Sequence, residues 1–190
     1  MGTRNLTVVV KDNKIKIAQY GQWDGYPDAS GLGCLEILRT DLDNLINGLP
    51  NCIEIDDGIY EGMIKHAEEM AGEQNSAPEG FLSMKISDAL DELYPEQHRN
   101  TGFRILKIVA DSKVPIYIQS RFDFATDTLF CEWAYVIDLD NGKFETHTGG
   151  GNGEQGVFAR LGEDTVSMVT SFDLDNLPSD EEYMQAFGGE

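Results

Sequence analysis

Basic residues are scarce. The 190-residue chain holds 14 Lys and Arg against 34 Asp and Glu, a formal net charge of −20. A surface with that excess repels nucleic-acid backbones and anionic membranes alike, which argues against phosphate-backbone binding. Cysteine is sparse too: Cys34, Cys52 and Cys131 are odd in number, far apart and without C-x-x-C spacing. They read as reduced cytosolic thiols rather than a disulfide framework or a zinc finger. No apolar run approaches the ~18–20 residues that cross a bilayer. No charged segment followed by an apolar one marks a secretory signal. Gly2 follows Met1, yet Leu6 stands where N-myristoylation needs Ser or Thr. The motifs of serine hydrolases, β-lactamases, zinc proteases, zinc deaminases, dinucleotide folds, P-loops and EF-hands are all missing. No catalytic residue set is therefore named by motif.

What is present is enough for a core. Hydrophobic residues make up 41% of the chain, too many for a wholly disordered protein, and the length suits one domain over 1–190. Leu6 to Tyr20 reads as a β-hairpin (1–20) turning at Asp12-Asn13, a pair that tolerates left-handed backbone angles. Residues 33–112 read as mainly helical. Leu35, Leu38, Leu42 and Leu45 recur at helical spacing before Gly48 and Pro50. Ile59, Met63, Ala67 and Met70 stripe a second helix from about Asp57 to Gly72, and shorter helices are expected at Ser87–Leu93 and Phe103–Ala110. Residues 114–172 read as mainly strands: Ile116 and Ile118, Leu129–Leu139, Lys143–Thr148, Val157–Leu161 and Thr165–Phe172. Ser179 with Glu182 forms a capping box that opens a short helix over 179–187. Strands, then helices, then strands predict an α+β fold. Its largely antiparallel sheet is built from N-terminal and C-terminal hairpins around a central group of helices.

Two stretches carry candidate chemistry. In Gln22-Trp23-Asp24-Gly25-Tyr26-Pro27, two large aromatics sit on a loop, so Trp23 and Tyr26 either plug the hairpin end or wall a ligand pocket. There Gly31 and Gly33 would offer backbone donors to an anion at a helix start, and Asp24 would be an acid–base group. The second stretch follows from treating Asn141-Gly142 as a two-residue turn, which pairs Asp138 with Glu145 and Val136 with His147. One face then carries Trp133, Tyr135, Ile137, Leu139 and Phe144 toward the core. The other carries Glu132, Asp138, Glu145 and His147. That second face is either solvated, or a divalent-metal site of Asp138, Glu145 and His147, or a docking surface of Glu132, Asp138 and Glu145. His66 reads as a partly buried structural histidine. Cys34, at a helix start, is either an activated thiol or a buried inert one.

Charge is uneven: residues 122–190 hold 15 acids against Lys143 and Arg160, a net of −13. An acidic face of this kind suits either plain solubility or docking on a basic partner surface.

The stretches MGTRNLT (1–7), AQYGQWDGYP (18–27) and LFCEWAYVIDLD (129–140) resemble a family of uncharacterised proteins from phage, bacterial and fungal genomes. That resemblance implies a cytoplasmic protein without a lipid anchor. It carries over no cofactor and no catalytic residue. In a phage setting, the natural target of an acidic surface is a nucleic-acid-handling host defence protein, so the leading expectation is a non-enzymatic inhibitor of that kind. The alternative is a small-molecule or anion-binding protein, or a hydrolase, using the Trp23–Tyr26 loop. The opening hairpin is also similar, at fold level, to N-terminal-nucleophile hydrolases. Gly2, however, supplies no nucleophile where that mechanism needs Cys, Ser or Thr.

Overall fold

The computed structural model describes residues 2–78, 81–150, 156–162 and 164–188. Asp12 and Asn13 both adopt left-handed angles (φ 55° and 57°), the conformation that a tight type I′ turn requires at its two central positions. They join β1 (Asn5–Lys11) to β2 (Lys14–Gly21) with Lys11 opposite Lys14. The second hairpin joins β5 (Trp133–Asp138) to β6 (Lys143–Thr148) differently from the sequence expectation. Of the turn residues only Gly142 has a positive φ (65°), so Asn141-Gly142 is not a two-residue type I′ turn. Instead the Asp138 carboxylate accepts the backbone N–H groups of Asp140 and Asn141, both at 3.0 Å. Those bonds fold a longer loop. The register moves accordingly: Asp138 faces Lys143 and Val136 faces Glu145, and the repulsive Asp138–Glu145 opposition does not exist.

A parallel pairing of β1 with β5 fuses the two hairpins, and β7 (Ser167–Asp173) completes a five-stranded sheet ordered β2-β1-β5-β6-β7. The fold is α+β, and all of its five-stranded pairings but this one are antiparallel. The strand expected at Ile116 and Ile118 forms as β4 (Ile116–Ile118). It pairs in parallel with β3 (Cys52–Glu54) in a separate two-stranded sheet.

Both faces of the large sheet are covered. On one face, Val9, Ile17, Tyr135, Ile137 and Phe144 pack against α1 (Leu32–Gly48), α4 (Ile105–Asp111) and Tyr183 of α5 (Asp180–Gln185). This is the core face expected from the sequence, and the Ser179/Glu182 capping box forms with both of its bonds. On the other face, Leu6, Val8, Val10, Ala134 and Val136 lie beneath Ala125, Cys131, Val157, Phe158 and Val166. Val157–Leu161 is thus not a strand. It is a 3-10 segment, Gly156–Leu161, whose Val157 and Phe158 cover the sheet. A third cluster joins α2 (Asp57–Ala71) to α3 (Met84–Leu93) through Met63, Ala67, Ile86 and Leu90. His66 on α2 is exposed rather than partly buried, with Nδ1 3.0 Å from the Tyr94 hydroxyl.

Helix α1 meets α4 at Gly48, where a Cβ would lie 2.2 Å from the Val109 carbonyl oxygen. Backbone cannot yield there as a side chain would. Gly48→Ala is expected to destabilise the protein by about 1–3 kcal/mol. Gly62→Ala, in the middle of α2 with open space around it, should stabilise by about 0.5–1 kcal/mol. Denaturant midpoints of the two variants check both signs.

Candidate functional site

The Gln22–Pro27 loop closes one end of the sheet through its backbone. The buried Tyr135 hydroxyl donates to the Gly25 carbonyl at 2.6 Å, and the Gly25 N–H donates to Thr3 at 3.1 Å. Asp24 takes a left-handed φ of 55°, and its carbonyl accepts both the N–H and the hydroxyl of Ser30. Trp23 and Tyr26 are 46% and 53% exposed. Trp23 is therefore not the buried plug of the first alternative; its ring lies over Gly2. The glycines also differ from expectation. A Cβ on Gly31 would lie 2.3 Å from the Tyr183 hydroxyl, and one on Gly33 would lie 2.3 Å from the Phe103 ring. Their role is close packing. A π-helical turn, Pro27–Gly31, leads straight into α1 and accepts the Leu32 N–H, so the helix start offers no row of free donors.

The carboxylates of the second hairpin are engaged internally. Glu132 accepts the Arg4 N–H at 3.1 Å. Asp138, 6% exposed, holds its own turn and also accepts the Asn141 side-chain amide at 2.7 Å. Glu145, 7% exposed, contacts Nε2 of the fully buried His147 at 3.0 Å. These three do not form an exposed docking surface, because the cover over the second sheet face removes Asp138 and Glu145 from solvent. Among the described residues no group of three His, Cys, Asp or Glu side chains is placed to hold an ion. The thiols are held in their protonated form. Burial pushes Cys34 far up, Cys52 to about 11 and Cys131 to about 12, which resolves the Cys34 alternatives toward the inert one.

The structure assembles a different site along the edge of β2. The Arg121 N–H donates to Ala18 at 2.9 Å, and the Arg99 carbonyl accepts from Gln22 at 3.0 Å. These bonds tie two distant segments to the edge strand and bring their guanidinium groups to one cleft. A cavity of 520 Å³ is lined by Tyr20, Arg99, Ser120, Arg121, Asp123 and Phe124. A smaller one of 100 Å³ shares Tyr20, Arg99 and Arg121 and adds Gln19, Glu96, Gln97 and Gln119. Tyr20 and Phe124 meet edge to face at 5.2 Å. Arg121 donates to the Gln119 side chain at 2.8 Å, and Arg4, over the Phe130 ring at 4.5 Å, also interacts with Tyr20. Burial pushes the Tyr20 phenol up, opposed by the charges of Arg4 and Arg99.

Ion pairing is the exception among the basic side chains. Arg39, Lys85, Lys107 and Lys143 each sit within 4 Å of a carboxylate. Among the described residues, Arg4, Arg99 and Arg121 do not. Sequence reasoning passed over them because Tyr20, Arg99 and Arg121 are far apart in the chain. The one local sign is the alternation of arginine with aromatics in Arg121-Phe122-Asp123-Phe124. The chain matches no family model, no curated protein and no solved structure.

Glu96 lines the smaller cavity and is itself buried. It is 5% exposed, accepts the Tyr117 N–H at 3.3 Å, and burial pushes its carboxyl above the ordinary glutamate value of 4.5. The folded state therefore binds this proton more tightly than the unfolded chain does. The stability contributed is complete below the unfolded pKa and is lost as pH rises through the folded one. Glu96→Gln keeps the acceptor for Tyr117 but cannot ionise. Between acid and neutral pH its melting temperature should fall less than that of the wild type, as followed by circular dichroism.

Proposed function

We propose that the protein binds an anionic ligand in the Tyr20–Arg99–Arg121 cleft. One observation carries this reading: in a chain with a net charge of −20, two arginines without an ion-pair partner, Arg99 and Arg121, line one aromatic-walled cavity of ligand size. Guanidinium groups suit carboxylate and phosphate oxygens because their donors form a fixed fork. The acidic exterior repels polyanions at range, while only contact inside the cleft is attractive. A small ligand of low charge fits that balance better than a polymer.

Arg99 and Arg121 are exposed, so replacing either should leave stability within about 0.5 kcal/mol. Calorimetry with inorganic phosphate at constant ionic strength provides the test. Arg99→Gln and Arg121→Gln should each weaken binding about 10-fold or more, as the loss of a charge-assisted hydrogen bond implies. Wild-type protein that takes up neither phosphate nor sulfate would remove this reading.

A second reading, docking on a basic surface of a partner such as a nucleic-acid-handling protein, is supported by a different set of carboxylates. Asp173, Asp175, Asp180, Glu181 and Glu182 are all exposed within ten residues. Such binding should weaken steeply with added salt and on neutralising Asp175 and Glu181, in pull-downs at graded ionic strength.

A further inference from the structure

The cleft has two compartments of different chemistry, and their division identifies the ligand more closely. The small one, 100 Å³, is walled by the two arginines and by amide side chains. It is large enough for one tetrahedral anion and too small for a chain of them. The larger one, 520 Å³, has Tyr20 and Phe124 as apolar walls. A bare phosphate would leave that space, and both rings, unused.

We infer that the ligand is a nucleoside monophosphate, with its phosphate between Arg99 and Arg121 and its base against Tyr20 and Phe124. The inference rests on the anion-binding reading. Four features fit it. Both arginines line both compartments, so they stand at the junction where a phosphate joins a ring-bearing body. Arg121 donates to the neighbouring Gln119 side chain at 2.8 Å, which restricts the orientation of its fork. Of the two carboxyl groups in the cleft, Asp123 lines only the large compartment, where it repels a phosphate but can accept from ribose hydroxyls or base amines. Glu96 lines only the small one, where burial raises its carboxyl above the ordinary glutamate value and so weakens its opposition to an anion. Stacking on aromatic walls tolerates any base, so selectivity among bases is expected to be slight. The added charges of a triphosphate find no further arginine among the residues lining either compartment, and a polynucleotide meets the repulsion of the acidic surface.

The experiment is calorimetry on the full chain at fixed ionic strength with AMP, GMP, ATP, adenosine and inorganic phosphate. AMP and GMP should bind about 10-fold or more tightly than inorganic phosphate, the range that stacking one base supplies. Adenosine should bind weakly, and ATP no better than AMP. Phe124→Leu keeps an apolar side chain at a partly buried position, and its fold is checked by circular dichroism. It should lower AMP affinity several-fold while leaving phosphate affinity unchanged. Gln119→Glu, on the surface, should weaken both. If phosphate binds and Arg121→Gln abolishes it, but AMP is no tighter or Phe124→Leu does not change the ratio, the nucleotide inference falls and the anion reading stands. If no anion binds, both fall. Tighter binding of a single-stranded oligonucleotide than of AMP would also overturn the monophosphate assignment.

Discussion

The parallel pairing of β1 with β5 is the contact on which the rest of the molecule depends. It places β1 in the interior of the sheet, where Leu6, Val8 and Val10 face one layer and Val9 faces the other, all without solvent exposure. Strands buried on both faces read as continuous apolar runs, as Val8-Val9-Val10 and Ala134–Ile137 do. Because β5 brings β6 with it, the second face of that hairpin lies under the Gly156–Leu161 segment instead of in water.

That covering decides what the acidic residues are for. A carboxylate taken from water costs free energy unless donors meet it, and here backbone N–H groups supply them. Asp138 holds its own turn, and Asp140 reaches across to accept the Asp12 and Asn13 N–H groups at 2.8 and 2.7 Å. Asp56 and the Ser179/Glu182 pair begin helices. Part of the negative charge is thus structural, tying one turn to another. The exposed remainder gives the surface its sign.

The cleft is a by-product of protecting an edge. An uncovered edge strand invites pairing with other chains. In this fold β2 is shielded by the segments that carry Arg99 and Arg121, hydrogen-bonded to Gln22 and Ala18. Shielding by irregular segments instead of another strand leaves a gap. The gap is lined by whatever those segments bear, here guanidinium groups, amides and aromatic rings.

Much of the fold was legible beforehand. Local signals act over a few residues: left-handed turn residues at Asp12-Asn13, the leucine stripe of α1, the capping box at Ser179. Each formed as read. The core face of β5 was also legible, because alternation along a strand depends on that strand alone. Two local readings failed for lack of side-chain context. Asn141-Gly142 resembles a tight turn until Asp138 claims its N–H groups, and Val157–Leu161 resembles a strand until its apolar residues are needed as a cover. The Glu132, Asp138, Glu145 and His147 face looked wet because no sequence pattern announces a second layer. The candidate site was not legible at all: Tyr20, the Glu96–Arg99 stretch and Arg121 come from three separate parts of the chain. By itself the sequence determined which short segments turn, coil or extend, since those choices follow from neighbours in the chain. Only the tertiary structure decided which charges are buried and which converge, since both depend on what distant segments place against them.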